Sequence, residues 1–336
     1  MLQRIIRAID DFQKRHPVIA FPLAVNKKFG EDRAGYLAAL IAYYGFFSLF
    51  PLLLVFVSIL GLVLQGHGSL QQHILNSALK TFPVIGKDIQ IRSISGNGLA
   101  LGVGIAGTLW AGLGVTQAAQ YAMNEIWDVP QKDRPNFLIS RLRGLILLAV
   151  LGTITVVASF ASGIGGSGAS LPFRAAGMIL SLVLNVVLFL LAYRVLTRRS
   201  LSWGDVSPGA MVAAALWTVL QVVGGFYVTH QLKNAGNTYG TFALVIGLLV
   251  WIYLGAQITL YCAEINVVRV RHLWPRSLVQ PPVIKGDQEV IRGRAEVQRR
   301  RPEEKIEVSV PDSDEEQHHL DRGEQPPYRK AGSSSG

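Results

Sequence analysis

Cysteine is nearly absent from this chain. Its one thiol, Cys262, can form no intramolecular disulfide and no thiolate cluster, so a disulfide framework and a cysteine-held metal site are both excluded. Charge is scarce as well: 16% of the 336 residues are charged, against about 25% in a soluble domain. The deficit is uneven. Long stretches within the first 270 residues carry no charged side chain, whereas the last 60 or so are dense with them. Catalytic signatures are missing too. There is no HExxH, no GxSxG, no Walker A and no His/Asp grouping at metal spacing. His67, His73 and His230 fall in loops, and His318 and His319 fall in the polar tail. Hydrolysis needs positioned acid/base groups or carboxylate- and imidazole-held metals, so neither an enzyme nor a metal or cofactor site is expected. Met1 to Arg15 lacks the apolar core of a signal peptide and carries Asp10 and Asp11. The first apolar span is therefore expected to serve as an uncleaved insertion signal.

What the chain has in quantity is long apolar runs. Half of its residues are apolar, and mean hydropathy is +0.34. Runs of about 18 or more apolar residues are transmembrane candidates. Six are read here, at about 37–64, 98–122, 144–164, 173–193, 208–229 and 241–263. The expected fold is all-α: a polytopic membrane bundle of about six transmembrane helices over 37–264, an amphipathic N-terminal segment over 1–36 and a disordered tail over 265–336. In residues 2–12, Leu2, Ile5, Ile6, Ile9 and Phe12 recur at helical spacing, which suits a surface helix. Residues 16–36 read as a basic approach to the membrane. Leu70 to Phe82 reads as a short interfacial helix. The second span is rich in small residues, with pairs such as Gly98-Gly102 and Gly102-Ala106 four apart, a spacing that lets helix backbones touch in lipid. Residues 280–336, rich in Pro, Gln, Glu, Arg and Ser, cannot bury enough apolar surface to offset their ordering entropy.

Basic residues then orient the bundle. With the N-terminus inside, the inner segments hold Arg4, Arg7, Lys14, Arg15, Lys27, Lys28 and Arg33. The later inner loops add Lys132, Arg134, Arg141 and Arg143, then Arg194, Arg198 and Arg199, then Arg269, Arg271 and Arg276. The outer loops hold only Lys80, Lys87, Arg92, Arg174 and Lys233. This bias places both ends in the cytoplasm. It also accounts for the net charge of +10 without a nucleic-acid-binding patch. Trp127 and Tyr193 fit interfacial aromatic belts.

The segment Ala34-Gly-Tyr-Leu-Ala-Ala-Leu-Ile-Ala-Tyr-Tyr-Gly-Phe-Phe-Ser-Leu-Phe-Pro51 resembles the first span of the YihY/BrkB family. Tyr239-Gly-Thr-Phe-Ala, Leu248-Leu-Val-Trp-Ile-Tyr-Leu-Gly-Ala-Gln257 and Ala263-Glu-Ile-Asn266 resemble its last span. Asn124-Glu-Ile-Trp127 and Ser207-Pro-Gly-Ala210 are similar to further family segments, and the resemblance covers roughly residues 15–270. It implies a six-helix inner-membrane protein. Members have been labelled ribonuclease BN and virulence factor, and transport or export of a lipid-related or small solute is the function the resemblance suggests.

Polar residues in or beside the spans are the candidate pathway or packing residues: Tyr43, Tyr44, Pro51, Gln117, Gln120, Asn124, Glu125, Asn185, Gln221, Gln257, Glu264 and Asn266. Ionisable groups within a bilayer are costly and face the bundle interior or water. The structural alternative is weightier. Glu125 and Glu264 at helix ends can pair with Arg141, Arg143 or Arg269, and amides within spans hydrogen-bond across helices. Three functions remain: a transporter or exporter, an envelope scaffold whose tail binds partners, and, last, a membrane-bound ribonuclease. A transporter requires Gln117, Glu125 and Glu264 to line one cavity. The expected partners are membrane lipids and a lipid or small-solute substrate, with no nucleic acid. Oligomeric state is not legible.

Overall fold

Backbone amides in hydrocarbon must find partners within their own segment, and the apolar runs meet that demand as helices. A computed structural model describes residues 10, 12–63, 98–164, 170–234, 240–278, 283–306, 308 and 322. Among these, eight α-helices follow one another: α1 (Pro17–Glu31), α2 (Ala34–Val63), α3 (Gly98–Ile126), α4 (Phe137–Ile164), α5 (Leu171–Leu196), α6 (Trp203–Asn234), α7 (Gly240–Val270) and α8 (Lys285–Val297). The fold is all-α, as expected. Helices α2 to α7 run from 26 to 32 residues, or roughly 40–48 Å at the helical rise. Three of the described helices are long and apolar enough to cross a membrane by length and composition, at Ala34–Pro51, Ala175–Leu196 and Val245–Val270. The expected surface helix over 2–12, save Asp10 and Phe12, lies outside the described residues. So do the Leu70–Phe82 piece, the turns at 165–169 and 235–239, and most of the tail beyond 306.

The six long helices close a ring. Each of α2 to α7 packs on its neighbour in sequence, α7 returns to α2, and α3 also touches α5 and α7 across the interior. The outer surface is apolar: Trp110 is 76% exposed and Leu138 75%. Such a surface belongs in lipid. Small residues do bring α3 close to its neighbours. A Cβ at Gly112 would stand 3.0 Å from Leu148 of α4, and one at Gly107 3.1 Å from Pro51 of α2. The particular pairs expected were different, because Gly102 faces open space. Helix α2 runs continuously through Pro51.

Among the described residues, buried side chains concentrate at one end of the ring. Ala24 and Val25 of α1, Met123 and Ile126 of α3 with Trp127 just after it, Tyr193 of α5, Ala210 of α6, and Leu260, Ala263 and Val267 of α7 meet there with Leu273 and Val290. Two helix ends shape this core. Asp128 (φ 50°) and His272 (φ 53°) adopt the left-handed conformation. The following N–H groups turn back, from Val129 to the Asn124 carbonyl at 2.8 Å and from Leu273 to that of Val268 at 3.0 Å. These are glycine-free Schellman stops.

Three expectations are corrected here. The basic approach over 16–36 is the packed helix α1, started by Pro17 in its first turn and buried against α7 and α2 through Ala20, Ala24, Val25 and Lys28. Residues 285–297, expected to be disordered, form α8, because Asp287 and Val290 are buried and the former is charge-paired. Trp127 and Tyr193 are core residues, 1% and 0% exposed, so they form no interfacial belt. The Tyr193 hydroxyl donates to the Thr259 carbonyl at 2.9 Å, which lets the phenol enter the interior.

Candidate functional site

The sequence Lys27-Lys28-Phe-Gly-Glu31-Asp32 puts two Lys/acid pairs four apart, so on α1 each lysine meets a carboxylate one turn later. One pair faces the core. Lys28 is fully buried and donates to the Asp32 carboxylate and, at 3.3 Å, to the Ile126 carbonyl; its Nζ lies 3.7 Å from Asp128. The Schellman turn after α3 aims Asp128 back at this lysine, and Arg271, just past α7, closes on the other Asp128 oxygen. Glu264 of α7 completes the group, also fully buried. The cluster holds three carboxyls, Asp32, Asp128 and Glu264, against two cations, Lys28 and Arg271.

Such a set cannot remain one charge out of balance, because an uncompensated charge away from water is very costly. One proton restores neutrality. No N–H or O–H donor among the described residues reaches either Glu264 oxygen. Asp32 and Asp128 lie near it, and like charges away from water oppose one another's ionisation. Burial pushes Asp32 above the ordinary carboxylate range. Lys28 opposes that rise, and the nearby Asp128 reinforces it. Burial works against the Lys28 ammonium, yet Glu264, Asp32 and Asp128 outweigh it and hold its pKa above the ordinary value. Among the described residues, no group of three or more His, Cys, Asp or Glu side chains is placed to hold a metal ion.

A second, balanced layer locks the C-terminal segment over this cluster. Asp287 accepts from Lys27 at 2.8 Å, Arg276 Nε at 2.6 Å and the Ser277 N–H at 3.0 Å. Arg276 also forks onto both Glu31 oxygens at 2.9 Å. Burial raises the Asp287 carboxyl, but these three donors overcome it and hold the group below its ordinary range. Asp10 accepts from the Leu278 N–H at 2.8 Å and from Gln13 at 3.0 Å, tying the N-terminal turn to the same strap. Helix α8 then lies on the cluster, and a Cβ at Gly293 would stand 2.7 Å from the Asp128 carboxylate.

Of the residues picked out from sequence, only Glu264 belongs to this cluster, and its neighbours are Lys28 and Asp32 where Arg269 was expected. Arg269 instead donates at 3.0 Å to the Gly204 carbonyl, which Pro208, lacking an N–H, leaves open. Glu125 pairs with Arg134 at 3.2 Å, where Arg141 or Arg143 was expected. Gln120 exchanges hydrogen bonds with Ser140 of α4, at 3.1 Å each way. Asn124 accepts the Arg198 N–H at 3.0 Å. Asn266 accepts the Gly209 N–H at 2.8 Å, where α6 and α7 approach so closely that a Cβ would strike the Cys262 carbonyl. Gln257 donates to Tyr253 at 2.9 Å. Tyr43 and Tyr44 stack edge-on at 5.4 Å, Asn185 is buried in α5 and Gln221 is exposed. Gln117 is half-buried. The cleft described below is lined by none of Gln117, Glu125 and Glu264. Sequence reasoning missed Lys28, Asp32, Asp128, Arg271 and Asp287. The i,i+4 pairing on α1 is the one signal that pointed to them.

Fold and site together define a helical membrane protein whose bundle is closed at one end by a buried charged cap. The family model described as Virulence factor BrkB matches residues 25–281, and the chain belongs to that family. It is similar to the inner membrane protein YhjD of Escherichia coli, 24% identical over 279 residues that span 74% of this chain and 81% of that protein. It is also similar to the membrane protein VV0203 of Vibrio vulnificus, 27% identical over 268 residues, 76% of this chain and 83% of the other. A Bacillus subtilis relative that carries a ribonuclease-like name, YfkH, is 28% identical over 250 residues, 69% of this chain and 88% of its own length. No solved structure matches.

Proposed function

We propose that this protein moves a lipid-related or small solute across or out of the inner membrane, through a bundle of six spans with both ends in the cytoplasm. On this reading it is not an enzyme and needs no cofactor. The observation that carries the reading is the Lys28, Asp32, Asp128, Glu264 and Arg271 cluster. Ionisable groups buried inside a membrane bundle mark proton and solute pathways, and this set needs one proton for neutrality. The concentration of basic residues at the same end supports the cytoplasmic placement. The test is reconstitution of the full chain in liposomes, reading both the transbilayer movement of a fluorescent phospholipid and the lumenal pH. Wild type should exceed protein-free liposomes, and Glu264→Gln should lose the response to an imposed pH gradient. Wild-type rates equal to those of empty liposomes, for lipid and proton alike, would refute it.

The docked helix α8 favours a second reading, a scaffold that presents its C-terminal segment to partners. Truncation after residue 306 keeps Asp287 and the cap while removing the rest of the tail. A phenotype that survives this truncation counts against the scaffold.

A further inference from the structure

Between the turn after α3 and the bend joining α5 to α6 lies an open cleft of about 790 Å³. Lys132, Arg198 and Arg199 line it, and among the described residues none of their side-chain cations has an ion-pair or hydrogen-bond partner. Arg134, a fourth cation in the wall, is occupied by Glu125 at 3.2 Å and the Val129 carbonyl at 3.1 Å. Asp128 is likewise neutralised by Arg271 and Lys28. The unmatched acids in the lining are Asp133 and Glu296, so the cleft keeps an excess of one positive charge.

Two further observations point to an occupant. Trp127 borders the cleft, is 1% exposed, and its indole N–H has no acceptor among the described residues. Such a buried donor is costly unless something accepts from it. Ile139 carries the wall onto the first turn of α4, where Phe137 and Leu138 are 66% and 75% exposed. A cationic cleft with an apolar rim at the end of a membrane bundle matches a molecule with an anionic head and hydrocarbon tails.

We propose that this cleft binds the phosphate of an anionic phospholipid. Lys132, Arg198 and Arg199 take the phosphate oxygens, and the acyl chains follow α4 past Phe137 and Leu138. The same cations would accept inorganic phosphate, but the apolar rim has a use only for a lipid. The assignment goes beyond transport and does not depend on it, since a lipid held here serves as an anchor whether or not it is cargo.

The test uses the full-length protein purified in mild detergent. Native mass spectrometry reads binding from micelles containing equal phosphatidylglycerol and phosphatidylcholine. Wild type should prefer phosphatidylglycerol. Combined Lys132→Ala, Arg198→Ala and Arg199→Ala should cut that binding at least about tenfold, and Arg199→Gln alone about fivefold. Arg292→Ala with Arg294→Ala, which removes two positive charges from α8 outside the cleft, should leave it unchanged. If the triple variant misfolds, the single variant still decides. Unaltered phosphatidylglycerol binding in Arg199→Gln, or an equal loss in the α8 control, overturns the site. Calorimetric binding of inorganic phosphate alone, with no preference for phosphatidylglycerol over phosphatidylcholine, overturns the lipid assignment.

Discussion

Replacing Lys28 by methionine tests the charge balance of the cap directly. The ammonium is fully buried among three carboxyls, and its Nζ lies 3.7 Å from the Asp128 carboxylate. At an effective dielectric constant of about 20 that single attraction amounts to roughly 4 kcal/mol. Breaking a buried pair by removing one partner costs about 3–5 kcal/mol, so the two routes agree. Lys28→Met should lose about that much stability at pH 8, read as denaturant-induced unfolding of the full chain in detergent. At pH 5 the loss should shrink, because the abandoned carboxylates can take a second proton, at up to about 1.4 kcal/mol per pH unit. Glu264→Gln provides the contrast. Its amide is neutral, as a protonated carboxyl is, so it should cost under about 1 kcal/mol. If Glu264→Gln proves as damaging as Lys28→Met at pH 8, Glu264 is ionised and the proposed proton is not there. If Lys28→Met is harmless, the cap is not dry.

Asp287→Ala removes three hydrogen bonds, two of them charged, and leaves Arg276 only its fork onto Glu31. It should release α8 at a cost of about 3 kcal/mol, seen as protease cleavage between 283 and 297 at concentrations that spare the wild type. Because the folded Asp287 carboxyl sits below its ordinary value of 3.8, its contribution is present above that pH and is lost as pH falls through the folded value. Asp32 behaves oppositely. Its raised folded pKa means that stability declines as pH climbs from 3.8 toward the folded value, and Asp32→Asn should flatten that slope in a series of melts. Gly209→Ala forces a Cβ onto the Cys262 carbonyl and the Asn266 amide. It should destabilise by about 3 kcal/mol, measurable as a lowered melting temperature; a change under about 0.5 kcal/mol would deny the close crossing of α6 and α7.

Much of the fold was legible because membrane helices announce themselves locally. A span needs only its own apolar length, and over the described residues the six runs read from sequence fall within long helices. Boundaries were less legible. α4 begins at Phe137, ahead of the charged Arg141 and Arg143, because helix continues past the apolar part into the polar boundary. The candidate site was mostly illegible. Gln120, Asn124 and Asn266 are polar residues that fasten helices, as the structural alternative held, yet no local pattern distinguishes them from pathway residues. α8 was missed because its mean composition is polar; it is ordered by Asp287, whose partners Lys27 and Arg276 lie about 250 residues apart in the chain.

Sequence alone determined that this chain is helical and belongs in a membrane, since apolar length and the obligation of backbone amides to pair internally are properties of a segment by itself. Only the tertiary structure decided which charges lose their water. Residues 28, 32, 128, 264 and 271 meet because α1 folds back onto α7 and two left-handed turns redirect the chain. A charge's energy depends on its surroundings in space, and neither its burial nor the proton it must share can be read from its place along the chain.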